Sequence, residues 1–353
     1  MNRRVDFRLT EDQRALKRGA REVLERLFDR DALRAAADAN GGAGGATLDR
    51  ALWRELGAAG FFSLRLPEER GGAGLGLPEA VLLFEEAGRV LLPGPLVATH
   101  LAAGEVAGAA EGTTVVTAVD GRLVAWLDAA DVVLGDTTGA VPLRSVDPLT
   151  PLHRLPGGAG GNGGNGGNGG NGGSGGGNGG DGEPAPGPGG DPRCGPGSGG
   201  DPGCGPGPGG PPGCGPGSGG DLVSLLTAAE QLGSAARTTE AAVAYARTRT
   251  QFGQPIGGFQ AVKHLCAQML VRTEVARAAV YAAAVTADPA EIAGARLLAD
   301  EAAVGCARDC LQVHGGMGFT WEADVHLHLK RAWVRAERGL SGAAAEELVA
   351  AGL

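Results

Sequence analysis

Residues 245–269 read YARTRTQFGQPIGGFQAVKHLCAQM, and their punctuation decides how the chain folds. A helix carrying Arg247 and Arg249 is predicted to end at Gly253. Pro255 and two glycines then turn the chain, and a second helix is expected to begin near Phe259–Gln260. Such a turn sets a guanidinium and an amide beside the unpaired N–H groups of a new helix. Those groups suit a pyrophosphate, because arginine offers a bidentate charge-assisted contact and the helix end adds donors. A capped helical hairpin with solvated arginines accounts for the same residues.

Working outward, residues 311–332 read LQVHGGMGFTWEADVHLHLKRA, where a helix is predicted to run into Gly315, Gly316 and Gly318. Paired glycines admit positive φ and let a ligand lie against bare backbone, with Gln312 placed to hydrogen-bond it. A helix C-cap and an interhelical turn fit here too. Before the first stretch, Leu222, Leu225, Leu226, Ala229, Leu232, Gly233 and Ala236 form one apolar stripe; Phe259, Val262, Cys266, Met269 and Thr273 start another. Residues 221–353 therefore read as a helical bundle. At the other end, Thr10 followed by Gln13 opens a helix with a capping box, and further apolar helices make residues 1–110 an all-helical unit. Residues 111–156 carry short β-branched runs broken by Asp120-Gly121 and Thr138-Gly139, which predicts a small antiparallel β unit. The expected class is multi-domain α+β.

Composition narrows the function. Of 353 residues, 40 are acidic and 31 basic, so no broad positive field draws in nucleic acid. No apolar run reaches the roughly 18 to 20 residues of a membrane span, which argues for a cytoplasmic protein. Between Gly157 and Gly220 lie 35 of the 66 glycines and 11 of the 21 prolines. That tract cannot bury a core and is expected to act as a flexible linker with an r.m.s. span of about 45 Å. Cys194, Cys204 and Cys214 recur within it, whereas Cys266, Cys306 and Cys310 fall in helical patterns; none has CxxC spacing, so no metal site is expected.

Taken together, Arg249, Phe252, Gly253, Pro255, Ile256, Phe259 and Gln260, followed by Gln312, Gly315, Gly316, Gly318, Phe319 and Glu322, resemble the paired motifs of the acyl-CoA dehydrogenase family. The N-terminal stretches LTEDQRAL, ELGAAGFFSLRLPEERGGAGLG and FEEAGRV reinforce the resemblance. It implies a helical domain, a small β domain and a helical bundle, assembled as tetramers with FAD between subunits. By match to the family's motifs, Arg249 would contact the FAD pyrophosphate of a neighbouring subunit. Phe252 and Gln260 would line the adenine side, and Gln312, Val313, His314, Gly315 and Gly316 would hold the adenosine diphosphate part. The implied reaction is α,β-dehydrogenation of an acyl-CoA, in which a carboxylate removes the α-proton and the flavin accepts the β-hydride. An electron-accepting flavoprotein would then reoxidise the flavin.

The sequence departs from that pattern where the carboxylate should stand. Counting from the diglycine loop lands on Gly339, with Glu337 two residues away, and the alternative family position falls on Val223. Asp221 and Glu230 read better as a cap and a helix-surface or interhelical charge, and His264 and His314 as structural hydrogen-bonders. The β region is short and lacks the family's usual Thr and Gly-Ser-Asp loop. Shortened members without a base resemble subunits of heteromeric actinobacterial enzymes for steroid acyl-CoA thioesters. The expectation is thus a dehydrogenase subunit completed by a partner, in a homo- or heterotetramer; the alternative is a non-catalytic subunit lending FAD contacts to a catalytic partner.

Overall fold

The computed structural model describes residues 8–40, 47–156 and 219–352. The Gly/Pro tract with Cys194, Cys204 and Cys214 lies outside them, as does the linker expectation.

The first helix, α1 (Glu11–Leu27), starts as its sequence requires: Thr10 Oγ1 accepts from the Gln13 N–H, and the Gln13 side chain accepts from the Thr10 N–H. After it come α2 (Arg30–Asn40), α3 (Arg50–Ala58), α4 (Leu77–Arg89) and α5 (Leu96–Ala102). Long helices return after the β region: α6 (Gly219–Thr248), α7 (Gln260–Thr286), α8 (Pro289–His314), α9 (Val325–Ala336) and α10 (Gly342–Ala351). α6 is buried on nearly every face, as an alanine- and leucine-rich helix with no polar side should be. It contacts α4, α7, α8 and α9 and forms the axis of the fold.

α4 crosses α6 at two glycines that face each other's backbones. A Cβ on Gly88 would fall 2.7 Å from the Glu230 Cα, and one on Gly233 would fall 2.9 Å from the Arg89 nitrogen, both inside normal contact. Close approach there buries the polar row of α4. Glu85 takes Lys17 (2.5 Å), the Tyr281 hydroxyl (2.7 Å) and Arg277, while Glu86 takes Arg21 (2.7 Å). Three helices, α1, α4 and α7, are thereby stapled by two buried carboxylates.

The sheet has the order β3-β1-β2-β5-β4, from β1 (Val116–Asp120), β2 (Leu123–Ala125), β3 (Val132–Leu134), β4 (Val141–Leu143) and β5 (Leu152–Arg154). The Asp120-Gly121 turn joins an antiparallel pair in the register Asp120 to Leu123, as expected. Thr138-Gly139 does not make a second hairpin, because β3 runs parallel to β1 and β4 pairs with β5. A side-chain contact outweighs the turn signal. Asp131 Oδ2 accepts from the Val115 N–H at 2.7 Å and is itself gripped by Arg50, which pins the start of β3 beside β1.

Of the three buried histidines, His100 and His328 are held neutral. Burial pushes His100 down to about 4, and burial with Arg237, Arg331, Arg335 and Arg89 nearby pushes His328 down to about 3. An unfolded histidine binds a proton below about 6.5, so the folded state loses stability as pH falls from 6.5 toward these values. Each residue is expected to remove about 2 kcal/mol between pH 6.5 and pH 5. Urea midpoints at pH 7.5 and 5.0 check this, and a flat profile across that interval would count against it. Among the described residues no helix is long and apolar enough to cross a membrane.

Candidate functional site

The helix before the first motif ends at Thr248, five residues earlier than the sequence predicts, and a β-hairpin replaces the expected helix end at Gly253. β6 (Thr250–Gln251) and β7 (Gln254–Pro255) pair antiparallel, with Phe252 and Gly253 forming the two-residue loop at φ 52° and 78°. Positive φ at both positions is what a type I′ turn demands. Glycine meets that demand freely; phenylalanine does so against its Cβ, at roughly 1–2 kcal/mol. Phe252 is also 91% exposed, held edge-on to Phe259 at 6.1 Å.

Arg249 stands at the foot of this hairpin. Its N–H donates to the Tyr245 carbonyl and its carbonyl accepts from the Ile256 N–H, both at 2.8 Å, so the backbone is fixed while the exposed guanidinium has no ion-pair partner among the described residues. Gln260 opens α7 from the same turn and is exposed.

The second motif closes α8. Gly315, at φ 60° and ψ −141°, lies in a region that only glycine enters without strain, and its N–H donates to the Gln312 carbonyl. Gln312, Gly315 and Gly316 are exposed, whereas the Val313 side chain is buried in the core. His314 does not reach out as a base. Its Nδ1–H donates to the Cys310 carbonyl at 2.8 Å, and its ring stacks on Tyr245 at 4.1 Å and 21°. That stack ties the last turn of α6 to the last turn of α8, so both motifs meet at one end of the bundle. Neither the type I′ turn nor the stack is marked in the sequence: Phe-Gly is not a usual loop pair, and 245 and 314 are far apart in the chain.

Gly339, where counting from the diglycine loop landed, has φ 74°, and a Cβ there would meet Arg296 Nη1 and Asp120 Oδ1 at 3.6 Å each. Four buried or partly buried carboxylates near this position are paired with arginines, whereas Glu337, two residues away at the end of α9, is exposed. Glu230 pairs with Arg335 at 2.7 Å, Asp300 with Arg296 at 2.7 Å, Asp120 with Arg338 at 3.4 Å, and Asp147 with Arg331. Glu230 is thus the interhelical charge its sequence context suggested. Asp221 lies within the first turn of α6 rather than capping it, and His264 is exposed on α7. Cys306 and Cys310 are buried free thiols, Cys266 is half-buried, and no group of three metal-ligating side chains occurs among the described residues.

Residues 224–344 match the acyl-CoA dehydrogenase C-terminal domain and residues 10–116 the N-terminal domain. The chain is 33% identical to the acyl-CoA dehydrogenase IpdE2 of Mycobacterium tuberculosis over 80% of each chain, and 31% identical to IpdE2 of Mycolicibacterium smegmatis over 92% of this chain and 93% of that one. In fold it resembles a variant of the Tcur3481-Tcur3483 steroid ACAD (TM-score 0.68, 20% identity, 97% of this chain and 98% of that one). It is equally similar to the ChsE4-ChsE5 complex from Mycobacterium tuberculosis (TM-score 0.68, 20% identity, 98% of this chain and 97% of that one). With helical domain, small sheet and helical bundle in family order, the N-terminal domain matched and the C-terminal domain match spanning both motifs, the chain belongs to the acyl-CoA dehydrogenase family.

Proposed function

We propose that this chain is an FAD-binding subunit of an acyl-CoA dehydrogenase assembly whose catalytic carboxylate comes from a second chain. The observation that carries the reading is the exposed hairpin: an unpaired Arg249 guanidinium and a strained Phe252 beside a glycine corner. These donors fit the diphosphate and adenine of FAD, with Arg249 on the phosphates, Phe252 and Gln260 toward the adenine, and Gln312 with the 313–316 backbone toward the ribose and diphosphate. When bound, FAD supplies the hydride acceptor for α,β-dehydrogenation of an acyl-CoA thioester. The chain's own contribution is to hold and orient that group. Bulky, steroid-derived thioesters are the substrates we favour, since the Tcur3481-Tcur3483 protein is a steroid ACAD and ChsE4-ChsE5 is a two-chain complex.

A second reading has its own support. With Gly339 and Val223 at the two base positions, and Glu230, Asp300, Asp120 and Asp147 paired to arginines, the chain can act purely as a structural subunit for a partner's flavin site. Purifying the chain alone and with its co-expressed partner separates the two. Flavin absorbance and dye reduction by an acyl-CoA in the isolated chain would exclude the purely structural role. In the assembled complex, Arg249→Ala is expected to lower FAD occupancy by at least about tenfold at limiting FAD, the loss of one charge-assisted contact. Unchanged occupancy sinks the proposal.

A further inference from the structure

Between α6, the start of α2 and the turn leading into α9 lies a cavity of about 240 Å³. Two groups on its wall have no part in the dinucleotide corner. Arg237 comes from α6, exposed and with no hydrogen-bond or ion-pair partner among the described residues. His328 comes from α9 and is 6% exposed. Its Nδ1 lies 2.8 Å from the Ser234 hydroxyl, for which no other hydrogen bond is found. The arrangement that uses every proton has the hydroxyl donating to Nδ1 and the imidazole carrying its own proton on Nε2. A guanidinium and a neutral N–H donor therefore line one open cavity.

The acidic residues beside them do not cancel this. Asp324 is already held by Arg30 at 2.5 Å and by Arg34 at 3.4 Å. Glu322 lies exposed at the rim. What remains unsatisfied inside is donor capacity, and the volume exceeds what one or two waters fill.

We propose that this cavity is a subsite for a small tetrahedral oxyanion, inorganic phosphate or a phosphate monoester, gripped by the Arg237 guanidinium and the His328 Nε2–H. An arginine fork with a second donor at an angle to it matches oxygens pointing in several directions, as on phosphate. His314 alone belongs both to this cavity and to the glycine corner, so the inference stands apart from the flavin reading.

Thermal unfolding of the full chain, with phosphate titrated against chloride at matched ionic strength, tests it alongside ³¹P line-broadening. Phosphate is expected to raise the midpoint saturably, and Arg237→Met, an exposed and fold-neutral change, to weaken the apparent affinity by about tenfold or more. Arg249→Met should leave the response intact. AMP serves as the monoester probe: protection equal to phosphate identifies an open-ended subsite, and protection by phosphate alone identifies a closed one, both supporting an oxyanion site. No saturable effect of phosphate, an unchanged response in Arg237→Met, or loss of response in Arg249→Met would overturn it.

Discussion

Gly233→Ala is expected to cost more than 3 kcal/mol and to leave little folded protein at 37 °C, although it adds a single methyl group in a helix. Alanine ordinarily stabilises a helix interior by about 0.5–1 kcal/mol relative to glycine. Here that gain is overwhelmed, because the Cβ would enter the Glu85 carbonyl and stand 2.9 Å from the Arg89 nitrogen. Backbone cannot rotate aside as a side chain can, so α4 must lift from α6. Gly19, in α1 with nothing within 4 Å of its Cβ position, is the matched control. Gly19→Ala should raise the thermal midpoint while Gly233→Ala lowers it steeply; similar midpoints for the two would refute the crossing argument.

Glu85→Ala should be nearly as damaging. Burial alone would raise the Glu85 carboxyl, but Lys17 and Arg277 override it and hold the group below the ordinary carboxylate range. Removing the carboxylate takes the nearest acceptor from two partly buried cations and from the Tyr281 hydroxyl, leaving Lys17 only the Glu86 carboxylate at 3.8 Å and Arg277 only that of Glu274 at 3.2 Å, a loss of about 3 kcal/mol. Replacing the charged set together is a different matter. A Lys17→Met, Glu85→Leu, Arg277→Met variant is expected to recover most of that loss, since a well-packed apolar substitute can match a buried ion cluster. Urea unfolding of the single and triple variants measures the difference, and a triple variant as weak as Glu85→Ala would show that packing, not stranded charge, sets the cost.

Much of this was legible in the residues. Thr10 with Gln13 marked the start of α1, the leucine stripe from residue 222 marked α6, and Asp120-Gly121 marked a true hairpin. Those signals are local, and local chemistry decides them. The parallel pairing of β3 was hidden because Asp131 reaches a backbone group sixteen residues away. Around Phe252 the pattern misled for another reason: a bulky residue occupies a turn position that usually announces itself with asparagine or glycine, so the helix was expected to run on to Gly253. At the site, Arg249 and Gly315 were visible as residue types, yet the stack of Tyr245 on His314 that brings them to one end depends on how α6 and α8 pack.

The grip of Arg50 on Asp131 limits how this protein can be recombined. The edge strand is aligned by a guanidinium belonging to the helical layer before it, so a chimera spliced just ahead of residue 111 would import a sheet without its guide. Modular grafting among relatives must carry α3 along with the strands, making these two regions one heritable block.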